Sequence, residues 1–270
     1  MYNGITFLSA AIDFQGGTFQ RCAFAGTNIS INSNTPQPLL FIGCCFYLSS
    51  FTLLGGADIE VFNSVWYGRH GSTGSLLTVS DAITSSIRLS HCYIRYDDAL
   101  GSNTMFSLSV NAQHVFVLNN SIIDSPGSVF PTLMGGNATM NGSLSVVSNN
   151  VYAPGINFAL LPNVNGISNI AAAPQLDSVF FSNIANAGLY INDINKCGFR
   201  PQPSSPCFNA ASDGSHIGPA GGPFPIYSYF RRKFTGEPPI PQSKDWELQG
   251  NGNVPFGGNV DIRIEVKSID

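Results

Sequence analysis

Two stretches of this chain decide the fold: IEVFNSVW at residues 59–66 and IRLSHCYI at residues 87–94. In each, apolar residues alternate with other residues, two or three small or polar residues follow, and an apolar residue closes the unit. Alternation is typical of β-strands and the polar break is typical of a bend, so each unit predicts strand, bend and strand. Four more units carry the pattern: GTFQRCAF (17–24), LLFIGCCF (39–46), VFVLNNSI (115–122) and LSVVSNNV (144–151).

The units recur every 20–29 residues, measured between their closing apolar residues Phe24, Phe46, Trp66, Ile94, Ile122 and Val151. One coil of a parallel β-helix, with three short strands and three turns, needs about this length, whereas a propeller blade needs roughly 40 residues or more. The fixed Leu and Asn positions of leucine-rich repeats do not occur. The period therefore predicts an all-β solenoid, the single-stranded parallel β-helix, and a β-sandwich is the alternative all-β architecture.

Charged residues are scarce, at 10% of the 270 residues against roughly 25% in ordinary domains. The 20 Phe and 9 Tyr can form a core, which excludes a disordered chain. Helical bundles are disfavoured because Gly, Asn and Ser are poor helix formers. A net charge of −4 without a basic stripe argues against a nucleic-acid partner. Stacked coils explain the scarcity, because the interior excludes charge and like charges outside would repel every ~4.8 Å.

Alignment of the units places small and polar residues in one column of bends. In a parallel β-helix such residues stack at about 4.8 Å, and stacked amides can satisfy each other and the turn backbone. The predicted ladder is Cys22, Cys44, Ser64, Cys92, Asn120 and Asn149.

The six cysteines form no CxxC motif, and no His lies at metal-ligand spacing, so no metal site is predicted. Cys197 and Cys207 bracket a short Pro-rich loop and are the candidate disulfide. The uncharged run at 39–54 has the length of a membrane span. Because Gly and Ser interrupt it and the whole chain is poor in charge, no membrane span is predicted.

The segment at residues 170–222 resembles the final coils of right-handed parallel β-helix proteins of the pectate-lyase-like superfamily. The matching residues are Pro174, Leu176, Gly188-Leu189-Tyr190, Ser205-Pro206-Cys207-Phe208-Asn209-Ala210 and Ile217-Gly218. Asn209 stands where Asp is common in the family, and Ala211 where Gly is common. The resemblance covers roughly residues 17–222 and implies a right-handed coil. It leaves function open, because the family includes lyases, glycoside hydrolases, tailspikes, adhesins and structural fibres.

The catalytic motifs of that family are mostly missing. Polygalacturonase-like members carry Asn-Thr-Asp, a paired Asp, Gly-His-Gly and Arg-Ile-Lys, and this chain has only the pair Asp97-Asp98. Pectate-lyase-like members bind calcium through clustered Asp residues and use an Arg or Lys base, and no such cluster is evident. No cofactor is therefore predicted, and Ca²⁺, which the resemblance allows, has no support in the sequence.

One patch on neighbouring coils still gathers charged and aromatic residues. The alignment places Arg69 beside Asp97, His70 beside Asp98, Tyr67 beside Arg95, and Asp124 beside Tyr96. Paired carboxylates supply acid and base for glycan cleavage, and aromatic faces stack on sugar rings. The candidate catalytic residues are Arg69, His70, Asp97, Asp98 and Asp124. The candidate glycan-binding residues are Trp66, Tyr67, Arg95 and Tyr96. The simpler interpretation, which we favour, is a set of surface ion pairs that join the coils.

The composition changes after residue 226, since 12 of the last 44 residues are charged. We therefore predict a β-helix over 1–226 and an extended, Pro-rich arm over 227–270. The arm ends in NVDIRIEVKSID (259–270), where apolar and charged residues alternate as in an amphipathic strand. This strand needs a sheet, which its own β-helix flank, a small C-terminal domain or a neighbouring subunit can provide.

Residues 1–16 show no amphipathic helix that would cover the first coil. An uncapped coil and the C-terminal arm predict self-association or a larger assembly. The function expected is that of an extracellular structural or glycan-binding protein of cell-surface, fibre or virion type, with a polysaccharide or surface glycan as partner. The alternative is a polysaccharide lyase or glycoside hydrolase that acts near Asp97-Asp98.

Overall fold

A computed structural model provides the structure of the protein. It describes residues 2–3, 6–8, 11–14, 16–32, 38–54, 56–70, 74–79, 84–98, 104–108, 113–125, 130–176, 199–225, 243–248 and 262–266. These residues include no helix with the length and hydrophobicity that crossing a membrane requires.

Most strands form three parallel sheets, and successive coils contribute to each sheet in turn. The first sheet contains β1 (Tyr2–Asn3), β4 (Gly17–Gln20), β7 (Leu39–Ile42), β10 (Asp58–Phe62), β13 (Ser86–Ser90), β16 (Gln113–Asn119), β20 (Val146–Ser148) and β22 (Asn165–Ile167), with β19 (Thr139–Met140) beside β16. The second contains β2 (Thr6–Leu8), β5 (Ala23–Ala25), β8 (Cys45–Tyr47), β11 (Val65–His70), β14 (Tyr93–Asp98), β17 (Ile122–Asp124), β21 (Val151–Tyr152) and β23 (Ile170–Ala171). The third contains β3 (Ala11–Asp13), β6 (Asn28–Asn32), β9 (Ser50–Leu54), β12 (Leu77–Val79), β15 (Thr104–Leu108) and β18 (Thr132–Gly136).

This stacking of parallel strands confirms the prediction of an all-β chain of the parallel solenoid kind. The uncharged run at 39–54 forms β7, β8 and β9, one strand in each sheet. The right-handed sense of the coil and its place in the pectate-lyase-like superfamily stay predictions.

Aromatic rings fill the interior of the first coils because alternate residues of each strand face inward. Phe19 and Phe41 stack with ring centroids 5.0 Å apart, and Phe24 and Phe46 stack at 5.1 Å. Trp66 continues the second column, with its ring centroid 5.4 Å from that of Phe46. The closing apolar residues of four units, Phe24, Phe46, Trp66 and Ile94, therefore lie in a shared core.

Each coil bends between the first and second sheets at a residue in the left-handed conformation. These residues have φ between 47° and 60°: Arg21, Gly43, Asn63, His91, Asn120, Asn149 and Ser168. Asn tolerates this conformation better than most residues do, which explains its frequency at the bend. Asn120 and Asn149 therefore occupy the bend and not the ladder position, which corrects the predicted alignment.

The ladder lies one residue after the bend and consists of Cys22, Cys44, Ser64, Cys92, Ser121, Asn150 and Asn169, as the strand register shows. Its Ser and Asn side chains accept hydrogen bonds from the backbone amides of the preceding coil, whereas its Cys thiols donate to backbone carbonyls. Ser64 Oγ accepts from the Cys44 amide at 3.0 Å, and Ser121 Oγ accepts from the Cys92 amide at 3.0 Å. The ladder thereby satisfies buried backbone donors that the bends leave without a strand partner.

Residues 199–225, here called the return segment, pack against the bends and the outer side of the second sheet. The Ser212 amide donates to Asn120 Oδ1 at 2.9 Å, and Asn120 Nδ2 donates to Ser212 Oγ at 3.0 Å. The Gly218 amide donates to the Asn120 carbonyl at 2.7 Å. Asn63 Nδ2 donates to the carbonyls of Pro219 and Gly221. Asn63 and Asn120, bend residues on different coils, therefore both contribute hydrogen bonds to the return segment.

The chain divides into two compact units, Met1–Tyr227 and Ser228–Asp270. The second unit contains a two-stranded antiparallel sheet, here called the ribbon, formed by β24 (Ser243–Leu248) and β25 (Ile262–Val266). A strand is thus present within the predicted 259–270 segment, and its partner belongs to the same small unit. The linking part of the predicted arm, residues 226–242, lies outside the described residues.

Candidate functional site

The candidate site lies on β11 and β14, adjacent parallel strands of the second sheet. Their register pairs Tyr67 with Arg95, Arg69 with Asp97, and His70 with Asp98. These are the backbone neighbours that the sequence alignment predicts. The side chains of Arg69, His70, Asp97 and Asp98 lie outside the described part of the structure, so their catalytic role stays a prediction.

Trp66 and Tyr96 are core residues, which corrects their assignment as exposed glycan-binding residues. Trp66 is 2% exposed and donates its indole N–H to the Ser49 carbonyl at 2.9 Å. Tyr96 is fully buried and donates its hydroxyl to the Gly74 carbonyl at 2.6 Å. Strand alternation places both residues inside the coil, where a glycan cannot reach them.

Tyr67 and Arg95 face the outer side of the second sheet, yet they are only 4% and 7% exposed. The Arg95 guanidinium lies over the Tyr67 ring, with its carbon 5.9 Å from the centroid. Tyr67 in turn stacks on Tyr47 of the preceding coil, with centroids 5.4 Å apart. The two predicted binding residues are therefore largely enclosed.

Asp124 lies beside Arg95, and not beside Tyr96 as the alignment predicts. Arg95 Nη1 is 3.8 Å from Asp124 Oδ2, and the Tyr93 hydroxyl donates to the same oxygen at 2.5 Å. The predicted alignment of this coil is wrong by one residue, as it is for the ladder. Ile122 pairs with Tyr93, and Ile123 is the residue in register with Ile94. We call Tyr67, Tyr93, Arg95 and Asp124 the Arg95 cluster.

Tyr93 is a member of this cluster that the sequence interpretation missed. Burial, and next the charge of Asp124, raise the pKa of Tyr93 well above its usual range, so it remains a protonated donor. Its ring packs on Phe199 of the return segment, with centroids 5.5 Å apart. The alternation within IRLSHCYIRYDD (87–98) is a sequence signal that places Tyr93 and Arg95 on one face of the strand. The contact of Tyr93 with Phe199 has no such signal, because it depends on the path of the return segment.

The Arg95 cluster is built to connect coils. Its hydrogen bond, ion pair and cation–π contact all join residues of neighbouring strands. A general acid or base must reach the proton that it transfers, within hydrogen-bonding distance of the substrate. The Asp124 carboxylate is already held by Tyr93 and Arg95, so its described contacts fit the structural interpretation better than the catalytic one.

A second group of titratable residues joins the return segment to the bends. His91 Nε2 lies 3.4 Å from Asp213 Oδ2 and 3.3 Å from Asn120 Nδ2, and His91 Nδ1 lies 3.3 Å from the His216 carbonyl. Burial lowers the pKa of His91, and the nearby Asp213 charge offsets this only in part. A neutral His91 ring can accept from Asn120 and donate to the His216 carbonyl.

The described thiols are buried and form no metal site. Cys207 is buried, and its predicted partner Cys197 lies outside the described residues, so their disulfide stays a prediction. Within the described ranges, no three His, Cys, Asp or Glu side chains come together as a metal site would require.

No family model, curated protein or solved structure matches this chain. The assignment of the solenoid therefore depends on the strand register itself. The superfamily remains a resemblance carried by the terminal motif, and the function must be argued from the residues described above.

Proposed function

We propose that the protein is a non-catalytic β-solenoid that serves as an extracellular structural or glycan-binding module within an assembly at a cell surface, fibre or virion. The Arg95 cluster is the observation that supports this most. The described charged residues of the candidate site bind one another across coils and are largely enclosed. Such contacts favour a rigid scaffold over a reactive groove. The proposal includes no cofactor, nucleic-acid partner or membrane span.

The third sheet offers the surface that supports glycan binding. Its outer side carries a column of half-buried hydroxyl side chains in register, formed by Ser30, Thr52, Thr78 and Ser107. Hydroxyls repeated at about 4.8 Å along a straight row can exchange hydrogen bonds with the hydroxyls of an extended glycan. A polysaccharide or surface glycan is therefore the partner that we propose for this face.

The alternative function is a polysaccharide lyase or glycoside hydrolase. The register that brings His70 beside Asp98 and Arg69 beside Asp97 is the observation in its favour. Two carboxylates flanking a glycosidic bond are the usual means of its hydrolysis.

A polysaccharide panel that measures binding and newly formed reducing or unsaturated ends separates the two functions. We expect binding by the wild type without new ends, and unchanged binding by the double variant Asp97→Asn, Asp98→Asn. The double variant Thr52→Val, Thr78→Val removes two hydroxyls at nearly constant volume and should weaken binding, whereas Arg88→Gln on the first sheet serves as a matched surface control. New ends that disappear in the Asp97→Asn, Asp98→Asn variant would contradict the proposal and establish the enzyme.

A further inference from the structure

We propose that Asn141 is an N-glycosylation acceptor, which receives an oligosaccharide from a lipid pyrophosphate carrier during export of the chain. This inference rests on the proposed function only in that the chain is extracellular, and it does not depend on glycan binding by the third sheet. Asn141 opens a sequon, the pattern of Asn, any residue except Pro, and then Ser or Thr, which here reads Asn141-Gly142-Ser143.

The sequence alone does not select this acceptor. Four sequons occur in a chain that is rich in Asn and Ser, and they begin at Asn28, Asn119, Asn137 and Asn141. All four have the residue types that the glycosyl transferase requires. The position of each sequon in the fold separates them.

Two of the sequons begin within strands of the solenoid. Asn28 is in β6, and its amide oxygen accepts a hydrogen bond from Ser50 of the next coil. Asn119 is in β16 with its Oδ1 buried, and Ser121, the third residue of its sequon, is fully buried in the ladder. A bulky glycan suits neither position, because the stacked coils already use these side chains.

The other two sequons flank β19. Asn137 and Thr139 are exposed, but Thr139 is itself a strand residue of β19. Asn141, Gly142 and Ser143 all follow β19 and precede β20, so this sequon lies entirely in a turn. A surface turn is the usual setting of a glycosylated sequon.

Backbone hydrogen bonds hold this turn on the solenoid. The Asn141 amide donates to the His114 carbonyl at 2.8 Å. The Asn141 carbonyl accepts from the amides of Leu144 and Ser145 at 3.0 Å and 2.8 Å. Ser143 and Leu144 are exposed, so the turn has room for a bulky modification.

The side chains of the sequon bind each other. Ser143 Oγ donates to Asn141 Oδ1 at 2.8 Å. Asn141 Nδ2, the nitrogen that would take the sugar, has no hydrogen-bond partner among the described residues and is open to solvent. The hydroxyl that the sequon requires therefore holds the amide oxygen and leaves the reactive nitrogen accessible.

This contact distinguishes Asn141 from the other three candidates. In the described part of the structure, it is the one sequon whose third residue donates to the Asn side chain. A hydrogen bond within three residues can form before the coil does. That order matters because the modification is made on the emerging chain.

The transfer balances without an oxidant or a reductant. Asn141 Nδ2 attacks the anomeric carbon of the first sugar, so that a carbon–nitrogen bond forms and the carbon–oxygen bond to the lipid pyrophosphate breaks. The lipid pyrophosphate leaves as an anion, and the Nδ2 proton passes to a base of the transferase.

Secretion of the full chain from mammalian cells behind an added leader peptide tests this inference. A glycosidase that releases N-glycans in heavy-oxygen water converts each modified Asn into a labelled Asp, and peptide mass spectrometry locates the label. We expect the label at Asn141 in most of the secreted chains. Ser143→Ala should abolish it, whereas the matched variant Ser143→Thr keeps the hydroxyl and should retain it. Because Ser143 is exposed, both variants leave the buried contacts in place.

Two results would overturn the inference: a secreted wild type in which Asn141 is unlabelled, whether or not Asn137 carries the label, or a label at Asn141 that persists in Ser143→Ala. Circular dichroism of the secreted variants checks that the solenoid is folded. Polysaccharide binding is measured on Asn141→Gln, which has no acceptor, so failure of this inference and failure of the proposed function remain distinguishable.

Discussion

The Tyr93 hydroxyl donates a 2.5 Å hydrogen bond to Asp124 on the next coil, and the same carboxylate oxygen lies 3.8 Å from Arg95. The residues are 31 positions apart in the chain, yet the parallel register makes their strands neighbours. A residue that the sequence presents as a candidate acid thus holds two coils together. This relationship leads to the first prediction.

Tyr93→Phe should lower the free energy of unfolding by about 1–3 kcal/mol, because it leaves a partly buried carboxylate without one donor. Urea unfolding monitored by circular dichroism measures the loss. Tyr152→Phe is the matched control, since Tyr152 stacks on Phe158 and its ring remains in the variant. A Tyr93→Phe protein with the wild-type urea midpoint would show that this bond contributes little.

Asn120→Ala should destabilise the chain more than Asn149→Ala does. Both residues occupy the left-handed bend, so both variants carry the same conformational cost. Of these two residues, Asn120 is the one whose side chain forms hydrogen bonds with Ser212 of the return segment in the described part of the structure. The difference between the two variants should be about 1–3 kcal/mol in urea unfolding. Equal losses would mean that the return segment is held by other contacts.

Stability should fall as the pH is lowered through 6.5. Burial lowers the pKa of His91, His114 and His216 below their ordinary value of 6.5. The unfolded chain therefore binds protons at these sites before the folded chain does, so acid favours unfolding, and the full contribution of these sites is present above 6.5. Urea midpoints measured between pH 7.5 and pH 5 check this sign.

Replacing His91 measures how much this residue contributes to the dependence of stability on pH. His91→Asn places the residue found at the neighbouring bend positions 63 and 120, and it should reduce the dependence of the urea midpoint on pH. Arg88→Gln leaves all three histidines in place and should keep the wild-type dependence of the urea midpoint on pH. A urea midpoint that rises as the pH falls from 7.5 to 5 would contradict the lowered pKa values of these histidines.

The buried thiols should resist alkylation in the folded protein. Burial raises the pKa of Cys92 and of Cys207 to about 12, and it raises the pKa of Cys44 well above its usual range. Because the thiolate is the reactive form, iodoacetamide at pH 8 should leave these three sites unlabelled until denaturant is added. Site-resolved mass spectrometry measures the labelling.

Fast labelling of Cys92 in the folded state would contradict the burial of the ladder.

The same experiment tests the predicted pairing of Cys197 with Cys207. If Cys207 resists labelling in denaturant until a reductant is added, the disulfide is present, whereas labelling in denaturant alone shows that it is absent.

The parallel stacking and the register of β11 with β14 were predictable because alternation and bend spacing both repeat in the sequence. The enclosure of the Arg95 cluster was not predictable from the sequence. It depends on contacts with the return segment, which lies more than 70 residues later in the chain. Ile122 is apolar although it lies on the outer side of its strand, because the return segment covers it. The sequence alignment therefore matched Ile122 with Ile94, although Ile123 is the residue in register with Ile94.

Two of the corrected assignments have a usable signal in the sequence. Trp66 lies three residues after the bend at Asn63, as Ile94 does after His91, and this position faces the interior, which excludes Trp66 from a surface site. The bend residues Asn120 and Asn149 precede Ser121 and Asn150, and the preference of Asn for the left-handed conformation favours the first residue of each pair as the bend. Local backbone preference therefore indicates the correct ladder, whereas the apolar pattern alone does not.

We propose that Arg95 and Asp124 join neighbouring coils. The free energy of unfolding of Asp124→Asn tests it most directly, because this change removes the charge that Arg95 and Tyr93 share while keeping the side-chain volume. We expect a loss of about 3 kcal/mol, since Arg95 would remain buried without its counter-charge. An unchanged free energy of unfolding would contradict the account, because it would show that the Asp124 carboxylate is free for another role.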